Sequence, residues 1–136
     1  MNVVRVKDGV EFTTISPAGF RLLGAIDKTA TLLGLDLMIT SACDGAHSGA
    51  DDPHHLGEAY DVRSRDVADK DLLLRTVLSQ LGTPIPASGG GGGYVTAYFF
   101  GWLEDAGREN EHFHFQRRRG MTYPPILGTS NPEVTT

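Results

Sequence analysis

Phe20, Leu23, Ile26, Ala30 and Leu33 recur at the spacing of one helix face, and the segment is bracketed by Ser16-Pro17 and Gly34. Serine before a proline is an N-cap followed by a first-turn residue that needs no N–H, and glycine tolerates the left-handed stop. The pattern predicts an amphipathic helix over 17–33, packed on a sheet. Val67, Leu74, Val77, Leu78 and Leu81 repeat the helical spacing, with Ser64 or Asp66 as cap and Gly82 as stop. Between these helices the spacing shortens. Residues 35–41 and 58–63 read as strands, as do 94–103 and 111–116, the last two joined by a polar connection over 104–110 suited to an antiparallel pair. Val3 to Val6 and Val10 to Thr14 flank Asp8-Gly9, a dipeptide of tight turns, so a short hairpin is expected to open the chain. Thr83-Pro84-Ile85-Pro86 and the glycine run 89–93 oppose regular structure, and the run reads as a mobile loop or a flap beside a site. From residue 121 onward prolines and weak periodicity predict an extended tail. The expected architecture is α+β: one domain over 1–120, an antiparallel sheet with two main helices packed on it, and a tail over 121–136.

A chain of 136 residues, 40% hydrophobic and 21% charged, has enough apolar surface to bury a core. Its net charge of -5 disfavours a polyanion-binding surface, so no nucleic-acid partner is expected. Arg117-Arg118-Arg119 reads as a solvated strand end. Cys43, the single cysteine, has no partner for an internal disulfide and sits at the exit of a buried strand, where a packed thiol is expected. The opening MNVVRVKDGVEF lacks a long apolar region and a small-residue cleavage site. The expectation is a soluble monomer with no signal peptide and no membrane insertion.

Chemistry concentrates in Asp52-Pro53-His54-His55-Leu56-Gly57-Glu58-Ala59-Tyr60-Asp61. In a straight strand His54 and Asp61 would be about 23 Å apart, at roughly 3.3 Å per residue. Two ligands of one metal require the chain to double back, and Gly57 is the residue best able to make that turn. Five histidines, at 47, 54, 55, 112 and 114, form two groups far apart in sequence, each with a carboxylate nearby. Strand pairing can join such groups into a zinc site with three protein ligands and an open position. In Glu111-His112-Phe113-His114-Phe115-Gln116 the period of two sets His112, His114 and Gln116 on the cleft face and the phenylalanines toward the core. The same alternation turns Glu111 away from His114 unless Glu111 belongs to the loop entering the strand or to a bulge.

His54-x-x-Gly57-x-Ala59-x-Asp61, followed by Glu111-x-x-His114, resembles the zinc D-Ala-D-Ala carboxypeptidase and L-alanyl-D-glutamate endopeptidase family, which includes bacteriophage endolysins. The resemblance covers roughly residues 16 to 117. It implies a DD-peptidase/hedgehog-like fold and one Zn2+ per chain held by His54, Asp61 and His114, with Glu111 as catalytic base. Peptidoglycan stem peptides are the substrate it implies. Two imidazoles and one carboxylate leave such a zinc site positively charged, suited to activating water and polarising a carbonyl. The resemblance also implies a phage or prophage lysis enzyme, made in the cytoplasm and reaching the cell wall after release, or a virion component.

The chain departs from the family pattern at two places. Asp52 stands where a serine is frequent, and Asp44 where an arginine polarises the scissile carbonyl. Another donor must then stabilise the developing oxyanion, and His47 or His112 is the nearest by type, His47 as a catalytic group and His112 as a substrate contact. The other class compatible with these departures is a non-catalytic zinc-binding module of the same fold. His112 remains an alternative third ligand, and Glu109 an alternative base.

Overall fold

The computed structural model describes residues 3–43, 56–87 and 92–119. Strands β1 (Val4–Val6), β2 (Leu37–Ser41) and β3 (Ala59–Arg63) are followed by β4 (Ile85–Pro86), β5 (Tyr94–Val95), β6 (Phe99–Glu104) and β7 (His112–Arg117). They form one sheet in the order β1-β2-β3-β7-β6-β5-β4. Helices α1 (Pro17–Leu33) and α2 (Lys70–Ser79) complete an α+β arrangement. The sheet is mixed and mostly antiparallel, because β1 runs parallel to β2. That pairing replaces the expected hairpin. The Asp8-Gly9 turn does form, with Gly9 at φ 90° and the Val10 N–H donating to the Lys7 carbonyl. Its second arm joins no strand, because β1 takes the apolar β2 as its neighbour instead.

Helix α1 has the expected ends: the Ser16 hydroxyl accepts from the Gly19 N–H, Pro17 opens the helix, and Gly34 caps it at φ 68°. Its buried face runs through Ala18, Leu22, Ala25, Ile26, Thr29 and Ala30. Phe20, expected inward, is 65% exposed, because the stripe of small residues turns the helix about its axis and lets it approach the sheet closely. For α2 the cap is Asp69, whose side chain accepts from the Leu72 N–H, rather than Ser64 or Asp66. Those two oxygens are used elsewhere, Ser64 on Glu111 and Asp66 on Arg63. Leu73, Leu74, Val77 and Leu78 of α2 join the α1 stripe against Tyr60, Val62, Phe113 and Phe115, all fully or almost fully buried.

Two further expectations are corrected. Residues 85–86 do form a strand, a two-residue edge that pairs with β5; proline is tolerated there because an edge position can spare an N–H. The run 94–103 is two strands, separated where the Thr96 hydroxyl accepts from the Phe99 N–H and the chain reverses. The Arg117-Arg118-Arg119 end is also tied down at its first two members. Arg117 pairs with Glu58 at 2.8 Å and Arg118 donates to the carbonyls of Thr96 and Ala97. Cys43 is buried and its thiol donates to the Thr14 carbonyl, as expected of a packed thiol. Among the described residues no helix is long and apolar enough to cross a membrane. Residues 88–91, which include the first three glycines of the 89–93 run, and the tail from 120 lie outside the described residues.

Gly57 makes the turn into β3 at φ 71°. Its carbonyl accepts from the Ser16 N–H, the Ser16 hydroxyl and the Tyr60 hydroxyl, so the turn is pinned to the start of α1. A side-chain carbon at Gly57 would overlap the Thr14 carbonyl, and one at Gly19 would overlap the Gly57 carbonyl. Gly57→Ala is therefore expected to destabilise the fold by about 3 kcal/mol, since it combines a left-handed backbone with a backbone clash. Urea denaturation checks this, and an unchanged midpoint would show that the turn relaxes freely.

Candidate metal centre

Alternation on β7 separates two chemistries. Phe113 and Phe115 enter the core, and His112, His114 and Gln116 line the opposite face of the sheet. Strand register then builds three rows across β3, β7 and β6: Arg63, His112 and Glu104; Asp61, His114 and Trp102; Ala59, Gln116 and Phe100. Asp61 and His114, 53 residues apart in the chain, are direct cross-strand partners. The β2–β3 register shifts between Ile39 and Ser41, making Thr40 the extra residue beside Asp61, and its hydroxyl donates to the Asp61 carbonyl. Bulges of this kind re-aim side chains next to sites.

The middle row is held by directed hydrogen bonds. Gln116 donates its amide N–H to the Arg117 carbonyl, which turns its oxygen toward His114 Nε2 at 2.7 Å. An amide oxygen only accepts, so Nε2 carries a hydrogen. A neutral imidazole then points the Nδ1 lone pair at Asp61 Oδ1, 2.8 Å away. Two lone pairs at that separation require a cation between them. With a proton there, His114 is an imidazolium paired with Asp61; with a metal there, Nδ1 and the carboxylate are both ligands. Gln116 thereby does what the outer partners of metal-bound histidines do, fixing tautomer and ring orientation. The donor set of Asp61 and His114 fits zinc by this test.

Burial is the largest influence on His114 and opposes its charge, but the hydrogen bonds to Asp61 and Gln116 outweigh it and raise the pKa above the ordinary histidine value. In the metal-free protein a raised folded-state pKa stabilises the fold fully below the unfolded value of about 6.5, and that contribution is lost as pH rises through the folded value. The urea midpoint of metal-free protein is accordingly expected to fall as pH is raised from 6 to 8, with the His114 ring titrating later than a free histidine by NMR. An early-titrating ring would overturn the pairing.

His112 lies one row away. Its Nδ1 donates to the Asn110 carbonyl at 2.8 Å, leaving Nε2 3.2 Å from Glu104 Oε1 and 3.7 Å from Asp61 Oδ2. Glu111 precedes β7, as the loop alternative requires, and its carboxylate is held by the Gly107 N–H at 2.9 Å and the Ser64 hydroxyl at 2.6 Å, with Lys70 at 3.8 Å. The Gly107 hydrogen bond first, then Ser64, and to a lesser degree Lys70 hold its pKa below the usual carboxylate range. Asp61, His112 and Glu111 line one cleft of about 460 Å³, which Glu109 also reaches.

The structure thus brings Asp61, His114, His112 and Glu111 to one region. His47, His54 and His55, with Asp44 and Asp52, lie outside the described residues. Among the described residues no group of three or more His, Cys, Asp or Glu is set to hold a metal, and the third expected ligand, His54, is not among them. Sequence reasoning placed Gln116 on the right face without giving it work, and missed Trp102 and Phe100 altogether. Trp102 stacks on His114 at 5.6 Å between ring centroids and on Phe100 at 4.9 Å. The signal for Gln116 was its spacing of two from His114, whereas the Trp102 partnership depends on the register set by the β6–β7 loop. Comparison with protein-family models, curated proteins and solved structures finds no match.

Proposed function

We propose that the chain is a zinc-dependent peptidase that hydrolyses amide bonds of peptidoglycan stem peptides, with a DD-peptidase/hedgehog-like fold and one zinc per chain. The observation that carries this reading is the Asp61–His114 pair, two acceptor atoms 2.8 Å apart with Gln116 fixing the ring. His54 is the third ligand, and bound zinc supplies Lewis acidity and an activated water. The chain's own residues supply the rest. Asp61 and His114 hold and orient the centre. Glu111, ionised in the cleft, takes the proton that the attacking water gives up and delivers it to the leaving amine. His112 and His47 are the candidate donors to the substrate carbonyl in place of the arginine that Asp44 replaces. A phage or prophage lysis enzyme, or a virion component acting on the cell wall, is the setting that the resemblance supports.

A second reading, a zinc-binding module without catalysis, is favoured by one observation. Each oxygen of the Glu111 carboxylate already accepts a hydrogen bond, from Ser64 and from the Gly107 N–H, and its pKa is lowered, both of which weaken a base. The two readings separate when zinc-loaded protein is incubated with muropeptides and new amino groups are counted. Their release supports the peptidase, and zinc bound at one per chain with no release supports the module.

A further inference from the structure

Trp102 stands on the open face of the sheet and is 38% exposed. Little of the fold depends on its ring, because the core lies on the other face, with Phe113 and Phe115. Trp102 is the cross-strand partner of His114, and their rings stack with centroids 5.6 Å apart and planes 28° from parallel. Phe100, two residues earlier on β6, stacks on Trp102 at 4.9 Å and lies 6.2 Å from His114. Three rings thus stand together beside the Asp61–His114 pair. The base of the indole is closely seated. A side-chain carbon at Gly93 would come within 2.8 Å of the Trp102 Cβ and 2.6 Å of the Gly101 carbonyl oxygen, so glycine is what lets the chain entering β5 lie against it.

Asp61 and Gln116 hold His114 through its two nitrogens, in the plane of the ring. The faces of the ring are left to its neighbours. An imidazole that ligates a metal through Nδ1 gives up electron density, and the π face of an indole attracts an electron-poor partner as it attracts a cation, within about 6 Å of its centroid. The stack is therefore stronger with metal on the ring than without it. Only an interaction that differs between the two states shifts the balance between them. We propose that Trp102 is a positioning residue for the metal centre: its indole holds the face of the His114 imidazole and favours the metal-bound state over the empty one, with Phe100 packed against the indole. The inference rests on the zinc reading of Asp61 and His114, and not on catalysis.

The test is the zinc affinity of the full chain, measured by competition with a chelating dye, for the wild type, Trp102→Leu and Trp102→Phe. Leucine removes the π face and is expected to weaken binding about five- to tenfold, whereas phenylalanine keeps one and is expected to stay within about threefold of the wild type. Thermal melts of the metal-free variants should differ little from the wild type, which separates this role from one in the fold. Trp102 is the single tryptophan, so its emission reports on this site alone. That emission is expected to change as zinc fills the wild-type site and to stay constant when zinc is added to His114→Ala. An equal loss of affinity in both Trp102 variants overturns the inference, since an aromatic face would then not be what His114 needs. Emission that bound zinc leaves unchanged does the same. A wild type that takes up no zinc overturns the zinc reading and this inference with it, whereas tight zinc binding that Trp102→Leu leaves intact overturns the inference alone.

Discussion

Asp61→Ala and His114→Ala are each expected to lower zinc affinity by more than about a hundredfold, because the loss of an outer partner of a ligand alone typically costs ten- to a hundredfold. His54→Ala is expected to match them, and His55→Ala to be milder. Gln116→Ala tests the same geometry from outside. Without the amide oxygen the imidazole loses the hydrogen bond that fixes its tautomer, so affinity should fall about tenfold while the ligands remain. Competition against a chelating dye gives the affinities, and thermal melts of the metal-free variants separate lost ligands from lost fold. Equal zinc affinity in the wild type and His114→Ala would show that His114 is not a ligand. His112, whose Nε2 lies 3.7 Å from Asp61 Oδ2, would then be the next ring to test.

The parts of this fold that were legible in the sequence are those where a local requirement and the tertiary environment agree. Ser16-Pro17 and Gly34 are cap residues whichever face the helix buries, and they bound α1 as read. Alternation on β7 is legible because one face must enter the core, and Phe113 and Phe115 leave no doubt which. Local signals failed where partners compete. Asp8-Gly9 produced its turn, but β1 pairs with β2, whose Leu37 and Ile39 are almost fully buried, while Val10 and Phe12 pack on the core from outside the sheet and are only partly buried. Ser64 is a good cap by type, yet its hydroxyl serves Glu111, and Asp69 caps α2 in its place. Phe20 keeps the helical spacing but loses the core to smaller residues that bring α1 nearer the sheet.

The site follows the same division. Gly57, Asp61 and His114 are readable from spacing because each is constrained by its own strand or turn. The bond between Asp61 and His114 is a matter of register, which no local pattern states. Register is also what sets Trp102 beside His114 and Glu104 beside His112. The cleft that Asp61, His112 and Glu111 line is still less visible in sequence, since it gathers residues from the end of β1, the turn after β3 and the β6–β7 loop.

Glu111→Gln is expected to lower the rate of peptide hydrolysis by roughly two to four orders of magnitude while leaving zinc bound. The substitution suits the local structure. A carboxamide oxygen can still accept the Gly107 N–H, and its N–H can donate to the Ser64 hydroxyl, so both contacts of Glu111 have a counterpart and the loop before β7 keeps its shape. What disappears is the charge, and with it the proton acceptor. The hydrogen bonds that lower the Glu111 pKa keep the carboxylate ionised well into acid, so the base is present at neutral pH even though each proton it takes is held less firmly. Steady-state kinetics on a defined muropeptide decides the matter, with zinc content measured on the same preparations. Near wild-type hydrolysis by the variant would remove Glu111 from the reaction and make Glu109, which lines the same cleft, the next carboxylate to test. A wild-type protein that holds zinc and hydrolyses nothing would instead identify Glu111 as a residue that ties the β6–β7 loop to Ser64, beside a metal centre without catalysis.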